Sequence, residues 1–292
     1  MKITIHVTRI LASICLAAAT LSTLGSDELF KNASKVHFES VSFEYQPTPF
    51  AIRQAQKKGQ KPETKTESSV PIFGYLEKPN GDGPFPAVVL LHTCYGLSAH
   101  DEFWSKKLVG WGYVVLTVDS LGPRGIEYLC DGRSIKPAPW HRALDGYGAK
   151  AFLSRQPFID ENRIGVMGMS HGGMALLEII KQSTLEGQNL KPFDAAVAYY
   201  PLCGSPEPHN TPTLILIGSE DSWTPAIQCE EYLAGMESPH QLELKVFPGA
   251  HHLFDYPDID TIELGKIIRS DPVAAVEADK LVEQFFNQYL QK

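Results

Sequence analysis

Arg163-Ile-Gly-Val-Met-Gly-Met-Ser-His-Gly-Gly-Met-Ala-Leu-Leu-Glu-Ile-Ile180 is the stretch on which the fold turns. Its opening, Arg163–Met169, is apolar without alternation, the pattern of a short strand covered on both faces. Its close, from Met174 onward, is rich in helix formers. The residues between spell Gly168-Met-Ser-His-Gly172, a G-x-S-x-G in strand–turn–helix order. Such a turn is sharp enough to strain its central residue. Glycines two before and two after let neighbouring backbone come close, and the serine hydroxyl is held at a helix N-terminus, where developing negative charge is favoured.

Similar apolar runs recur at Pro86–His92, Tyr113–Asp119, Asp194–Tyr200, Thr213–Gly218 and Leu242–Phe247, and helix-like segments lie near 101–111, 140–155, 171–185, 225–236 and 272–290. Strands alternating with helices imply an α/β fold, a mostly parallel twisted sheet with helices on both faces. Ahead of them, 36–45 and 70–76 are rich in β-formers and are expected to pair as an antiparallel N-terminal edge. The intervening 53–69 is polar and reads as a solvated loop. The expected organisation is a signal segment at 1–25, an N-terminal strand and polar loop at 26–69, and one α/β domain at 70–292.

The chain has 292 residues, 43% hydrophobic and 21% charged, with a net charge of −8. This is globular composition, and the acidic balance argues against a nucleic-acid partner, which wants a basic face. Lys2 and Arg9 flank the start of an apolar run, Ile10–Leu24, followed by Gly25-Ser26. A positive start, a short apolar core and small residues are the parts of a cleaved export signal, and the run falls short of the roughly 20 residues a membrane span takes. An exported protein is expected, periplasmic or secreted, with no membrane segment after signal removal. The four cysteines beyond the signal, Cys94, Cys130, Cys203 and Cys229, then lie in an oxidising compartment. Cys94–Cys130 and Cys203–Cys229 are favoured, because each pair joins neighbouring loops at one end of the sheet; buried free thiols are the alternative.

A doubly wound sheet sets its working residues beyond the carboxyl ends of its strands. Ser170 stands there, but a serine hydroxyl is a weak nucleophile and needs a base oriented by an acid. After such an elbow the chain order is acid, then histidine. The next strand end with a carboxylate is Gly218-Ser-Glu-Asp-Ser-Trp-Thr-Pro225. Asp221 is preferred as the acid, in a turn shaped by Trp223 and Pro225, with Glu220 as the alternative. The last parallel strand ends in Phe247-Pro-Gly-Ala-His-His-Leu-Phe254. Adjacent histidines point in different directions; His252 is taken as the base and His251 as its packing neighbour. No carboxylate or cysteine stands at ligand spacing on that element, so no metal is expected, nor any cofactor. The oxyanion of an attacked carbonyl needs backbone donors. One is the N–H of His171; the other lies in Thr93-Cys-Tyr-Gly-Leu97 and is taken as that of Cys94. Tyr95 and Trp223 are candidate substrate contacts. Arg124, beyond another strand end, is a candidate partner for a substrate carboxylate, with a salt bridge to a helix carboxylate such as Asp145 as its competing role.

Taken together, Leu91-His-Thr-Cys-Tyr-Gly96, Val118-Asp-Ser-Leu-Gly-Pro-Arg-Gly125, Arg163–Gly173, Gly218–Pro225 and Phe247–Phe254 resemble the dienelactone hydrolase family of α/β-hydrolases over about residues 70–290. The resemblance implies the α/β-hydrolase fold and a small-molecule ester or lactone as substrate. It also places the family's acid at Asp221 and its catalytic-histidine segment at His252–Phe254. The namesake enzymes use a cysteine nucleophile and a glutamate in the loop after the first buried strand; here those places hold Ser170 and Thr93. The chain therefore looks like an exported, serine-nucleophile branch. A carboxylic ester or lactone hydrolase working through an acyl-enzyme is the function expected. A non-catalytic binding protein on the same fold, and an acyltransferase or peptidase using the same residues, are the competing readings.

Overall fold

The computed structural model describes residues 25–291 except 46, 48, 132–135, 187 and 237–241. The expected signal segment, Gly25 apart, lies outside the described residues. In chain order the elements are α1 (Ser26–Leu29), β1 (Ser34–Glu39), β2 (Phe43–Tyr45), α2 (Pro49–Lys57), β3 (Lys65–Glu67), β4 (Pro71–Glu77), β5 (Phe85–Leu91), α3 (Ala99–Gly110), β6 (Val114–Asp119), α4 (Pro139–Leu153), β7 (Ile159–Met169), α5 (His171–Ile180), α6 (Gln182–Leu185), β8 (Ala196–Tyr199), β9 (Thr213–Gly218), α7 (Ala226–Ala234), β10 (Leu242–Phe247), β11 (Asp260–Glu263), β12 (Lys266–Arg269) and α8 (Pro272–Leu290).

The main sheet runs β1-β4-β6-β5-β7-β8-β9-β10. The six strands from β6 to β10 in that order are parallel; β4 pairs antiparallel with both β1 and β6, forming the expected edge. The unbroken apolar runs are the reason. Val88 to Leu91, Val114 to Leu116 and Ile215 to Ile217 are fully buried, and each such side chain contributes about 1.5–3 kcal/mol over an exposed one. Helices α3 and α8, joined by Lys107–Asp279 at 2.6 Å, cover one face; α4 and α5 pack together on the other. The order reverses at β5, with β6 on one side and β7 on the other, so the loops leaving β5 and β7 border a crevice. Register makes this specific: Leu91 of β5 is paired with Gly168 of β7, and Phe247 of β10 with Gly218 of β9. The loops beyond those four residues carry the candidate site.

Three local expectations are corrected, and one further element is added. The 36–45 strand divides after Glu39, because the chain leaves the edge to follow α4: the Val41 N–H donates to the Leu144 carbonyl at 3.1 Å. Segment 53–69 is not a plain loop. Its start belongs to α2, which buries Ala55, and its end forms β3 against β2. The 171–185 helix breaks at Lys181, whose backbone is extended (φ −62°, ψ 135°) and bridges to His209. Finally, β11 and β12 form a hairpin in a region that carries no strong apolar run.

Both favoured cysteine pairings are present, Cys94–Cys130 and Cys203–Cys229. Among the described residues no helix is long and apolar enough to cross a membrane. The two disulfides are consistent with an exported protein.

Candidate active site

Ser170 ends β7 and opens α5 with φ 52° and ψ −114°, a conformation that costs a non-glycine residue on the order of 1–3 kcal/mol. Close packing enforces it. A Cβ at Gly168 would stand 2.3 Å from the Gly172 carbonyl oxygen, and one at Gly172 only 2.1 Å from that of Leu91. Glycine at both positions lets the first turn of α5 press onto the chain leaving β5, as the spacing of the motif requires.

Ser170 Oγ lies 3.0 Å from His252 Nε2, and His252 Nδ1 lies 2.7 Å from Asp221 Oδ2. All three are buried, with relative exposures of 7%, 4% and 3%. The carboxylate is itself held: its Oδ1 accepts the N–H groups of Trp223 at 2.8 Å and Thr224 at 2.9 Å, and the Thr224 hydroxyl reaches Oδ2 at 2.9 Å. With Asp221 oriented in this way, the Nδ1–H tautomer of His252 is the one that fits, leaving the Nε2 lone pair facing the Ser170 hydroxyl. Glu220 is exposed. The His251 ring turns away and donates from Nδ1 to the Glu220 carbonyl at 3.0 Å. Of the paired candidates, then, Asp221 and His252 meet Ser170, and Glu220 and His251 do not.

Two further residues beside this line have positive φ, Tyr200 at 36° and Leu253 at 58°. The Tyr200 ring centroid is 4.6 Å from that of His252, and Trp223 stacks on the same imidazole at 5.8 Å with 25° between planes. The Tyr200 hydroxyl donates to Asp255 at 2.7 Å; the same carboxylate accepts Trp104 Nε1 at 2.7 Å and His100 Nε2 at 2.9 Å. Burial alone would raise the Asp255 carboxyl, but its attraction and bond to His100, with the bonds from Trp104 and Tyr200, outweigh burial and hold it below the usual range. This buried network anchors the backbone that carries His252. Neither Asp255 nor Thr224 was singled out from sequence, although Thr224, three residues past Asp221, sits where an Asx-type turn places its helper.

Cys94 and His171 stand at the loop after β5 and at the first position of α5. A helix's first N–H groups have no partner within the helix, and among the described residues neither N–H has a protein acceptor. A cleft of about 500 Å³ begins one residue further on and is lined by Tyr95, Gly96, Leu121, Ile126, Tyr128 and Glu263. The hydroxyls of Tyr95 and Tyr128 both donate to the Glu263 carboxylate at the tip of the β11–β12 hairpin. Burial, and then the bond to Glu263, push the Tyr95 phenol well above its usual value. Of the two roles weighed for Arg124, the salt bridge to Asp145 is the one present, not a free fork for substrate. Its Nη1 and Nη2 clamp Asp145 at 2.9 and 2.8 Å, and Nη1 also donates to the Ser120 carbonyl at 2.6 Å. The fork that would grip a substrate carboxylate is already engaged.

A mostly parallel sheet with a serine on the strand–helix elbow after β7, an aspartate after β9 and a histidine after β10 defines an α/β-hydrolase. Within that class the chain belongs to the dienelactone hydrolase family, whose model matches residues 72–290. It is similar to a probable 2-oxo-3-(5-oxofuran-2-ylidene)propanoate lactonase of Bradyrhizobium sp., 22% identical over 62% of this chain and 78% of the relative. A putative carboxymethylenebutenolidase of Synechocystis sp. is 23% identical over 65% of this chain and 84% of that protein. Esterase FrsA of Shigella boydii is 27% identical, but the match spans 60% of this chain and only 40% of the esterase. Among solved structures, a dienelactone hydrolase-like promiscuous phosphotriesterase from metagenomic libraries shares the fold with a TM-score of 0.65, 16% identity and coverage of 86% of this chain and 99% of that one.

Proposed function

We propose that this protein is a serine hydrolase that cleaves carboxylic ester or lactone bonds through an acyl-enzyme. The observation that carries the proposal is the unbroken line from Ser170 Oγ to His252 at 3.0 Å and on to Asp221 at 2.7 Å. Membership of a hydrolase family with esterases and lactonases among its relatives supports the substrate class.

In this reading Ser170 Oγ attacks the substrate carbonyl carbon as its proton passes to His252 Nε2. The oxyanion that forms is received by the N–H groups of Cys94 and His171. Asp221 steadies the imidazolium through Nδ1–H without taking its proton. His252 then gives the proton to the leaving alkoxide, which departs from an ester or, for a lactone, stays tethered as the hydroxyl of the opened ring. Water, deprotonated by His252, attacks the acyl-serine, and collapse of the second oxyanion returns the proton to Ser170. Because a serine does not ionise as a cysteine does, the base is required in both halves. Tyr95, which lines the cleft beyond Cys94, and Trp223, which stacks on His252, are the proposed substrate contacts.

An active-site fluorophosphonate probe tests this directly. It should label the wild-type protein and not Ser170→Ala, and only the wild type should turn over p-nitrophenyl esters or small lactones. Equal labelling of both proteins, or of neither, would refute the assignment.

A further inference from the structure

Behind the two segments that carry the proposed oxyanion donors lies a cation with no part in the scheme above. Arg142, near the start of α4, is fully buried. Its Nη1 donates to His171 Nδ1 at 2.7 Å, and its Nη2 donates to the His92 carbonyl oxygen at 2.6 Å. A guanidinium has no lone pair to accept with, so His171 Nδ1 must be the acceptor and the ring is neutral. The His92 ring is fixed in another way. Its Nε2 accepts the Ser120 N–H at 3.2 Å, which leaves Nδ1 to donate to the Thr93 carbonyl at 2.6 Å. One fork of Arg142 therefore grips the residue that follows the nucleophile. The other grips the peptide that opens the Thr93-Cys94 loop.

Among the described residues no carboxylate pairs with Arg142 directly, and its Nε–H is buried without an acceptor. Asp145 is taken up by Arg124 and balances Arg142 only from further away, as Asp101 and Asp119 do. Burial lowers the guanidinium only to about 10, so it stays charged at neutral pH. Burial, and then Arg142 itself, push the His171 imidazole down to about 3, in keeping with its role as acceptor.

On the serine-hydrolase reading given above, we propose that Arg142 is a positioning residue of the oxyanion site. It fixes the Cys94 and His171 N–H groups relative to one another, and its buried charge, which its distant carboxylates balance only in part, favours the anion that forms between them. A fixed positive charge in a water-poor interior acts on such an anion far more strongly than it would in water. Arg142 neither touches substrate nor moves a proton. Its effect belongs to the transition state, and so to kcat.

The test uses substitutions on both sides of the contact. Arg142→Lys keeps a charge but not the planar fork, and should lower kcat for a p-nitrophenyl ester roughly 10- to 100-fold while leaving KM within about threefold. His171→Ala keeps the backbone donor and removes only the acceptor of the fork, and should lower kcat about tenfold. His171→Gln, whose amide oxygen can accept the same bond, should recover most of that loss. Thermal unfolding of each variant separates these effects from loss of folded protein; if Arg142→Lys does not fold, the His171 pair decides the matter alone. The proposal is overturned by unchanged kcat in Arg142→Lys or His171→Ala, by a loss confined to KM, or by a glutamine no better than alanine. Ester turnover that survives Ser170→Ala would instead remove the parent mechanism, whereas an inactive Ser170→Ala beside an unimpaired Arg142→Lys would remove only the positioning role.

Discussion

The Asp221 carboxylate spends one oxygen on backbone and the other on the histidine. Oδ1 takes two N–H groups of its own turn, which fixes the plane of the carboxylate, and Oδ2 then faces His252 Nδ1 at 2.7 Å. An amide in its place could keep the two backbone bonds and still present an NH₂ to Nδ1. The imidazole would then flip its proton to Nε2 and lose the lone pair that, in the mechanism proposed above, receives the serine proton. Asp221→Asn is therefore expected to lower kcat by roughly 10³–10⁴-fold with little change in melting temperature, while Glu220→Gln stays within twofold of wild type. Steady-state kinetics on one ester decides between them; a larger loss from the Glu220 change would move the acid. The backbone strain at Ser170, Tyr200 and Leu253 belongs to the same scale. All three border the line from Ser170 through His252 to Asp221, and each is held by packing or hydrogen bonds that a relaxed turn would have to break.

Among the elements, the β11–β12 hairpin ties the two sides of the site together. At its base Ile268 bridges to His252, and the Arg269 N–H donates to the His252 carbonyl at 3.2 Å. Near its tip Lys266 reaches the Ser222 carbonyl in the acid loop at 2.6 Å, and Glu263 takes the hydroxyls of Tyr95 and Tyr128. Removing that carboxylate leaves two half-buried phenols without their acceptor. Glu263→Ala should speed hydrogen exchange across 260–269 and raise KM severalfold with kcat nearly unchanged; exchange at the wild-type rate would mean that the base of the hairpin alone holds it. This hairpin was not legible in the sequence, and neither were α2 and β3. All three are short, partly exposed and polar, and they depend on what they dock on: β3 pairs with β2, whose Phe43 and Tyr45 pack on Trp140. The parallel strands were legible because burial on both faces writes an unbroken apolar run. Ser170, Asp221 and His252 were legible because each follows such a run. Arg142 was not. On a helix it reads as one more surface cation, and only the tertiary packing of α4 on α5 sets it against His171.

For the molecule as a whole, that buried cation and the two neutral rings beside it shape the response to acid. His92 is held well below its usual value by burial and then by Arg142, and His171 is pushed from 6.5 to about 3 by the same causes in the same order. As pH falls through about 6.5 the unfolded chain takes up protons that the folded protein refuses, so both groups make stability rise with pH across that range and fall away in acid. Asp101, raised to about 6 by burial, works the other way: the folded protein keeps a proton that the unfolded chain has released, and stability falls as pH rises from about 4 to 6. Burial raises Asp119 and Asp279 as well, so the total slope is a difference between opposing groups, and a substitution is needed to isolate one of them. His171→Gln keeps an acceptor for Arg142 and deletes the titration. Between pH 7 and 5 it should lose less stability than the wild type, by on the order of 1–2 kcal/mol, measured by urea unfolding at the two pH values. Parallel losses in the two proteins would mean that His171 takes up its proton in the folded state, which the guanidinium 2.7 Å from its Nδ1 forbids.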